Sequence, residues 1–250
     1  MTPQIPGYLL TIEATLRPMA PLFALVLIWM GAARMKAPAR SRYATAGVLS
    51  AVFIAWLAVA HYLGATNVYF AGTDRAVPTL LFGLLIPLIG AAIGLAVSSR
   101  VSELVSAIPL HWLVAAQAYR IEGGILLALW AEGLLPWQFG LPAGIGDVVT
   151  ACVAIVVAVL LARHAADARR AAYSWSLFGI ADLVVALTMG ALTSPGRPHL
   201  LAFDAPNLLI SAYPLVMIPT FAVPLALMLH GIVLWRLRTE TAATGRLAPA

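Results

Sequence analysis

Residues 77–97 read VPTLLFGLLIPLIGAAIGLAV, 21 positions without one charged side chain. A helix needs roughly 17–25 such residues to cross a hydrocarbon core of about 30 Å. In water the segment would have no polar face to present. The rest of the chain is similar material. Of 250 residues 62% are hydrophobic and 10% charged, and the mean hydropathy is +0.94. Soluble domains run at about 45–50% apolar and about 25% charged. This balance excludes a soluble globular enzyme, a disordered tail and a nucleic-acid-binding domain. The pI of 9.8 reflects only five net positive charges, and these fall in loops. A single cysteine, Cys152, excludes an intrachain disulfide framework and a cysteine metal cluster.

Seven runs reach spanning length: 18–33, 43–63, 77–97, 109–133, 144–162, 173–192 and 211–235. The first is short and borrows from 8–16, a weakly amphipathic stretch interrupted by Glu13 and Arg17. The fold expected is all-α, a single seven-helix transmembrane domain over residues 1–250. Its orientation follows from the cations. Arg34, Lys36, Arg40, Arg42, Arg100, Arg163, Arg169, Arg170, Arg236, Arg238 and Arg246 share one side, 11 of the 15. Arg17, Arg75 and Arg197 lie on the other, and Arg120 is inside a span. The positive-inside rule predicts an N-terminus outside and a C-terminus in the cytoplasm. Cations follow the first apolar run, whereas those of a cleaved signal peptide precede it.

An ionisable group at membrane depth needs a partner or a wet cavity. Arg120 and Glu122 sit mid-span in Tyr119-Arg120-Ile121-Glu122-Gly123-Gly124. On an α-helix they point in nearly opposite directions, so Gln117, Arg120 and Gly124 share one face and His111, Ala115, Ala118 and Glu122 the other. Partners come from an internal echo. Gly144-Ile145-Gly146-Asp147 and Gly179-Ile180-Ala181-Asp182 are both G-I-x-D, each among small residues in a span. Asp182 falls near mid-depth and is the expected partner of Arg120. Asp147 falls nearer the outer surface. His61, Asn67, Glu132, Asp147, His199 and Asp204 gather at the outer ends and could line a cavity. His230, near the inner end of the last run, reads as a packing histidine. Pro214, Pro219 and Pro224 each remove a backbone donor, so the last helix should break between Tyr213 and Phe221.

Gly144-Ile145-Gly146-Asp147 resembles the G-x-G-D motif of intramembrane aspartyl proteases, presenilins and prepilin peptidases. The resemblance covers four residues and implies a carboxylate dyad of Asp147 and Asp182. The order of the two aspartates is reversed relative to those families, and Pro224-Leu225-Ala226-Leu227 lacks their Pro-Ala-Leu. Residues 119–124, 141–147 and 179–183 resemble segments of uncharacterised small multi-pass bacterial inner-membrane proteins. That second likeness implies a location and no activity. The only lysine, Lys36, lies in a loop, which excludes a retinal Schiff base. No P-loop, dinucleotide fingerprint, H-E-x-x-H or G-x-S-x-G is present.

The reading is therefore a protein of the bacterial inner membrane that binds or transports a small solute or ion. Its site residues are Arg120, Glu122, Asp147, Asp182, His61 and Glu132, open to the periplasmic side, with no metal and no cofactor. Partners expected are the lipid bilayer and a small anionic or cationic solute, not nucleic acid. Oligomerisation, a place in a larger complex as a structural subunit, and a hydrolase using Asp147 and Asp182 stay open.

Overall fold

A computed structural model describes residues 4–70, 79–196 and 198–245, with side chains as far as 239. Arg75, Arg197, Arg246 and the first two positions of the 77–97 run lie outside the described residues. Those described contain helices and connecting turns. In chain order the α-helices are α1 (Gly7–Leu16), α2 (Met19–Arg34), α3 (Ala39–Ala65), α4 (Thr79–Val97), α5 (Ser99–Ala107), α6 (Leu110–Ala115), α7 (Gly124–Ala131), α8 (Trp137–Ala162), α9 (Ala168–Thr193) and α10 (Val223–Gly245).

Six helical segments are long and apolar enough to cross a membrane: Gly7–Arg34, Ala39–Ala65, Thr79–Val97, Trp137–Ala162, Ala168–Thr193 and Ile218–Thr239. The first joins α1 to α2 through the Arg17–Pro18 step, as the interrupted N-terminal pattern requires. The run expected over 109–133 is helical but not α-helical throughout, so it is not among these six. It consists of α6, a 3₁₀ segment over Ala116–Gly123, and α7. A 3₁₀ helix has three residues per turn and eclipses i with i+3. Gln117, Arg120 and Gly123 therefore stack on one side, and all three are buried. Gly123 takes the place that α-helical spacing gives to Gly124.

The last run also departs from its expected start at 211. A short 3₁₀ turn at Leu209–Ser211 and an irregular stretch precede a π-helix, Ile218–Ala222, which leads into α10. The expected break at Pro214 and Pro219 is present. A proline cannot donate to the turn before it, and a π-turn absorbs the mismatch.

Three helices stop in the same way. Asn67, Gly133 and His164 adopt left-handed backbone, with φ of 58°, 69° and 52°. In each case the next amide reaches back across the last turn: Val68 to Leu63 O (3.0 Å), Leu134 to Leu129 O (2.9 Å) and Ala165 to Leu160 O (3.1 Å). This is the Schellman closure, and it gives exposed Asn67 a backbone role. Ser98 caps α5 by accepting from the Val101 amide at 3.3 Å. The other end of α5 is closed by Arg236, which donates to Val105 O and Ile108 O at 3.1 and 2.8 Å.

Burial separates the outer helices from the central ones. In the apolar window of α4 6% of residues are buried, against 56% in Ile218–Thr239. α8 lies against α6, the 3₁₀ segment, α7 and α9, and α10 packs on α9, α4 and α6. The inner face of α8 includes Phe139, Thr150 and Val157 but is mostly glycine and alanine: Gly140, Ala143, Gly144, Gly146, Ala151, Ala154 and Ala158. Side chains this small let backbones approach closely.

Candidate functional site

Where α8, α9, α10 and the 3₁₀ segment converge, one guanidinium gathers the polar groups. Arg120 is 2% exposed. Its Nε donates to Asp147 Oδ1 at 2.7 Å, and its Nη2 donates to Asp182 Oδ2. Nη1 lies 3.3 Å from His230 Nε2. Arginine has only donors, so His230 Nε2 accepts and its Nδ1 carries the proton. That Nδ1 has no partner among the described residues. The His230 ring packs on Trp175 at 4.7 Å between centroids. Leaving any of these charges unpaired at this depth would be costly. One guanidinium meets two carboxyl groups and an imidazole that only accepts, so the carboxyl groups outnumber the guanidinium by one.

Three glycines make the convergence sterically feasible. A Cβ on Gly123 would overlap Asp147, one on Gly146 would overlap the Asp182 carboxyl, and one on Gly179 would overlap the His230 ring. The notches fall at different positions of the G-I-x-D echo, at x in the first copy and at the leading glycine in the second, while Gly144 meets Leu127. The glycine before Asp147 admits Asp182, and the glycine three residues before Asp182 admits His230.

Asp147 and Asp182 stand at nearly equal distances from the ends of their helices. α8 begins at Trp137, with Pro142 accommodated inside it, so Asp147 is ten residues in, about 15 Å along the axis. Asp182 stands 11 residues before the end of α9 at Thr193, about 16 Å from that end. The expected pair of Arg120 with Asp182 is present, and Asp147 joins it directly.

Two more buried side chains tie the 3₁₀ segment to the last helix. Gln117 Nε2 donates to Ala226 O at 3.0 Å, and Tyr119 OH donates to Ala222 O at 2.7 Å. The second acceptor lies at the last residue of the π-helix. A void of about 10 Å³, room for one water, touches Tyr119, Arg120, Glu122 and Asp147.

Glu122 links this cluster to a larger space. A cavity of about 370 Å³ is lined by Glu13, Arg17, His61, Glu122 and Tyr213 with apolar walls from α1, α2, α3 and the π-helix. Arg17 pairs with Glu13 at 3.3 Å and donates from Nη1 to Tyr213 OH at 3.0 Å. Tyr213 OH lies 3.4 Å from His61 Nδ1. Glu122 has no hydrogen bond or ion pair among the described residues.

The structure thus brings Arg120, Asp147 and Asp182 into one cluster, sets Glu122 beside it, and places His61 on the adjoining cavity. Glu132 is not there: it is exposed after α7 and accepts from Tyr8 OH. Asp204 is exposed too. His230 packs on Trp175 as expected and is a cluster member as well. Glu13, Arg17 and Tyr213 went unassigned because each reads as a span boundary or interruption. The signal that could have found them is the spacing of Glu13 and Arg17, an i,i+4 pair on one face of an apolar helix. No group of side chains suited to a metal ion occurs among the described residues.

The fold and site define a multi-pass helical membrane protein with a buried arginine–carboxylate cluster beside a partly polar cavity. A family model described as a domain of unknown function, DUF8737, matches residues 77–238, and the chain belongs to that family. The match takes in Arg120, Glu122, Asp147, Asp182 and His230 but not Glu13, Arg17 and His61. No curated protein and no solved structure matches the chain.

Proposed function

We propose that this is a seven-pass protein of the bacterial inner membrane that binds or transports a small solute or ion at the Arg120 cluster. The N-terminus is outside and the C-terminus cytoplasmic, a reading supported by the 11 cations on one side. The seventh crossing is the segment from α6 through α7. The run stays helical and only its winding changes over Ala116–Gly123, and a 3₁₀ stretch at membrane depth is tolerated where protein or a cavity surrounds it.

The observation that carries the reading is the surplus carboxyl group around Arg120, next to a cavity that Glu122 shares. A structural ion pair would balance its charges. A site that takes up and releases a proton or another cation needs the extra acidic group, and it needs a path to water. Access runs through the Glu13–Arg17–His61 cavity, from the side that holds the N-terminus. The Arg120 guanidinium engages both aspartates, where an aspartyl hydrolase would hold a shared proton and a water. That favours binding over hydrolysis.

Accessibility tests this. In a Cys152→Ser background, Ala14→Cys and Glu122→Cys are exposed to a membrane-impermeant maleimide from each face of sealed vesicles. Modification of both from the periplasmic face is expected. An interior unreactive from either face would overturn the reading in favour of a structural subunit.

A further inference from the structure

The cavity above the Arg120 cluster has an unbalanced charge inventory. It is lined by two carboxyl groups, Glu13 and Glu122, one guanidinium, Arg17, and the imidazole of His61, which lies 3.4 Å from Tyr213 OH. The guanidinium is already engaged, by Glu13 at 3.3 Å and by Tyr213 OH at 3.0 Å. Glu122 is left facing the space with no partner of its own among the described residues. Most of the wall is apolar, and the rings of Phe221 and Tyr213 line it. Trp56 backs Phe221 with ring centroids 4.6 Å apart. A volume of about 370 Å³ is at the small end of the roughly 300–1,000 Å³ of small-molecule pockets.

A ligand suited to this space brings a positive charge for Glu122 and an apolar body for the walls. An anion would find the only guanidinium taken and an acidic group beside it. Arg17 already lies over the Tyr213 ring at 5.8 Å, and the Phe221 ring, which favours cations over anions, pushes the choice the same way. We infer that the cavity binds a small organic cation, a protonated amine with an apolar or aromatic body, with its nitrogen on Glu122 and its body against Phe221. The inference names the solute class of the site proposed above and rests on that reading. It also gives the N-terminal helices, which lie outside the family match, part of the binding wall through Arg17 and His61.

The test uses the full-length protein in nanodiscs at neutral pH with three probes of one shape: 2-phenylethylamine, 2-phenylethanol and 3-phenylpropionate. Thermal unfolding and tryptophan fluorescence are read against probe concentration. The amine should raise the midpoint and bind more tightly than the alcohol, with the carboxylate weakest. Glu122→Gln should weaken the amine by at least about tenfold and leave the alcohol unchanged, while Glu132→Gln changes neither. Equal binding of amine and carboxylate, absence of amine binding, or full affinity in folded Glu122→Gln each overturns the inference. The charge series is read on the unaltered protein, so it decides even where Glu122→Gln fails to fold. Cysteine labelling that succeeds while the charge series fails leaves the site reading standing and removes only the amine. Labelling that fails removes both.

Discussion

Arg120 is held by two carboxylates and a histidine, and that number sets what its loss should do. Arg120→Ala strands two acidic groups, and breaking a buried pair from one side costs about 3–5 kcal/mol. Adding Asp182→Ala should return little, because Asp147 stays uncompensated. Stability should recover only when Arg120, Asp147 and Asp182 are all alanine. Unfolding in mixed micelles measures this series, and full recovery in the double variant would break the three-way cluster. The glycines give a second residue-scale prediction. Gly146→Ala and Gly179→Ala should each destabilise by about 1–3 kcal/mol, because the added methyl group meets Asp182 or His230. Gly90→Ala, with open space around it, should stay within about 1 kcal/mol of the parent. Residue types at the site were legible because charged groups are so rare in this chain. Their geometry was less so. Asp147 reads as shallow when the run starts at 144, whereas α8 starts at Trp137 and carries Pro142 in its second turn.

At the scale of elements, the 3₁₀ segment and the π-helix answer each other. One is overwound and the other underwound, and Tyr119 OH joins them at Ala222 O. Tyr119→Phe should cost about 0.5–1.5 kcal/mol. It should also speed amide exchange over residues 218–223 more than in α9, and unchanged exchange there would mean that the hydroxyl does not hold the π-turn. The break in the last run could be read from its prolines, since each removes a donor whatever the surroundings. The 3₁₀ segment could not. Ala116–Gly123 holds no proline, and its winding is tied to distant partners: Ala226 for Gln117, Ala222 for Tyr119, Asp147 and Asp182 for Arg120. Local periodicity carries no trace of such contacts.

For the whole molecule, class and spans were legible because length and apolarity alone specify a crossing helix. Six of the seven runs correspond to long helices, and 109–133 is helical but not α-helical throughout for the reason just given. The proposed topology has a direct check. Reporter fusions after Arg40 and Arg170 should read cytoplasmic, and one after Asp204 periplasmic; a reversed pattern would overturn the orientation. The cavity was only half legible. His61 was placed on it from its position at a helix end, but Glu13 and Arg17 come from the far end of the chain relative to Tyr213, and proximity of that kind is a property of packing.

The three glycine notches follow the order of the chain. Asp147 fits against Gly123 in the 3₁₀ segment, Asp182 against Gly146 in α8, and His230 against Gly179 in α9. Each polar side chain is received by an element made before its own. A chain synthesised from its N-terminus thus carries every berth before the group that will occupy it, and Arg120 is already in place when Asp147 emerges. No acidic side chain of the cluster has to wait in lipid for a partner still to be translated. The direction of biosynthesis is written into the positions of three missing methyl groups.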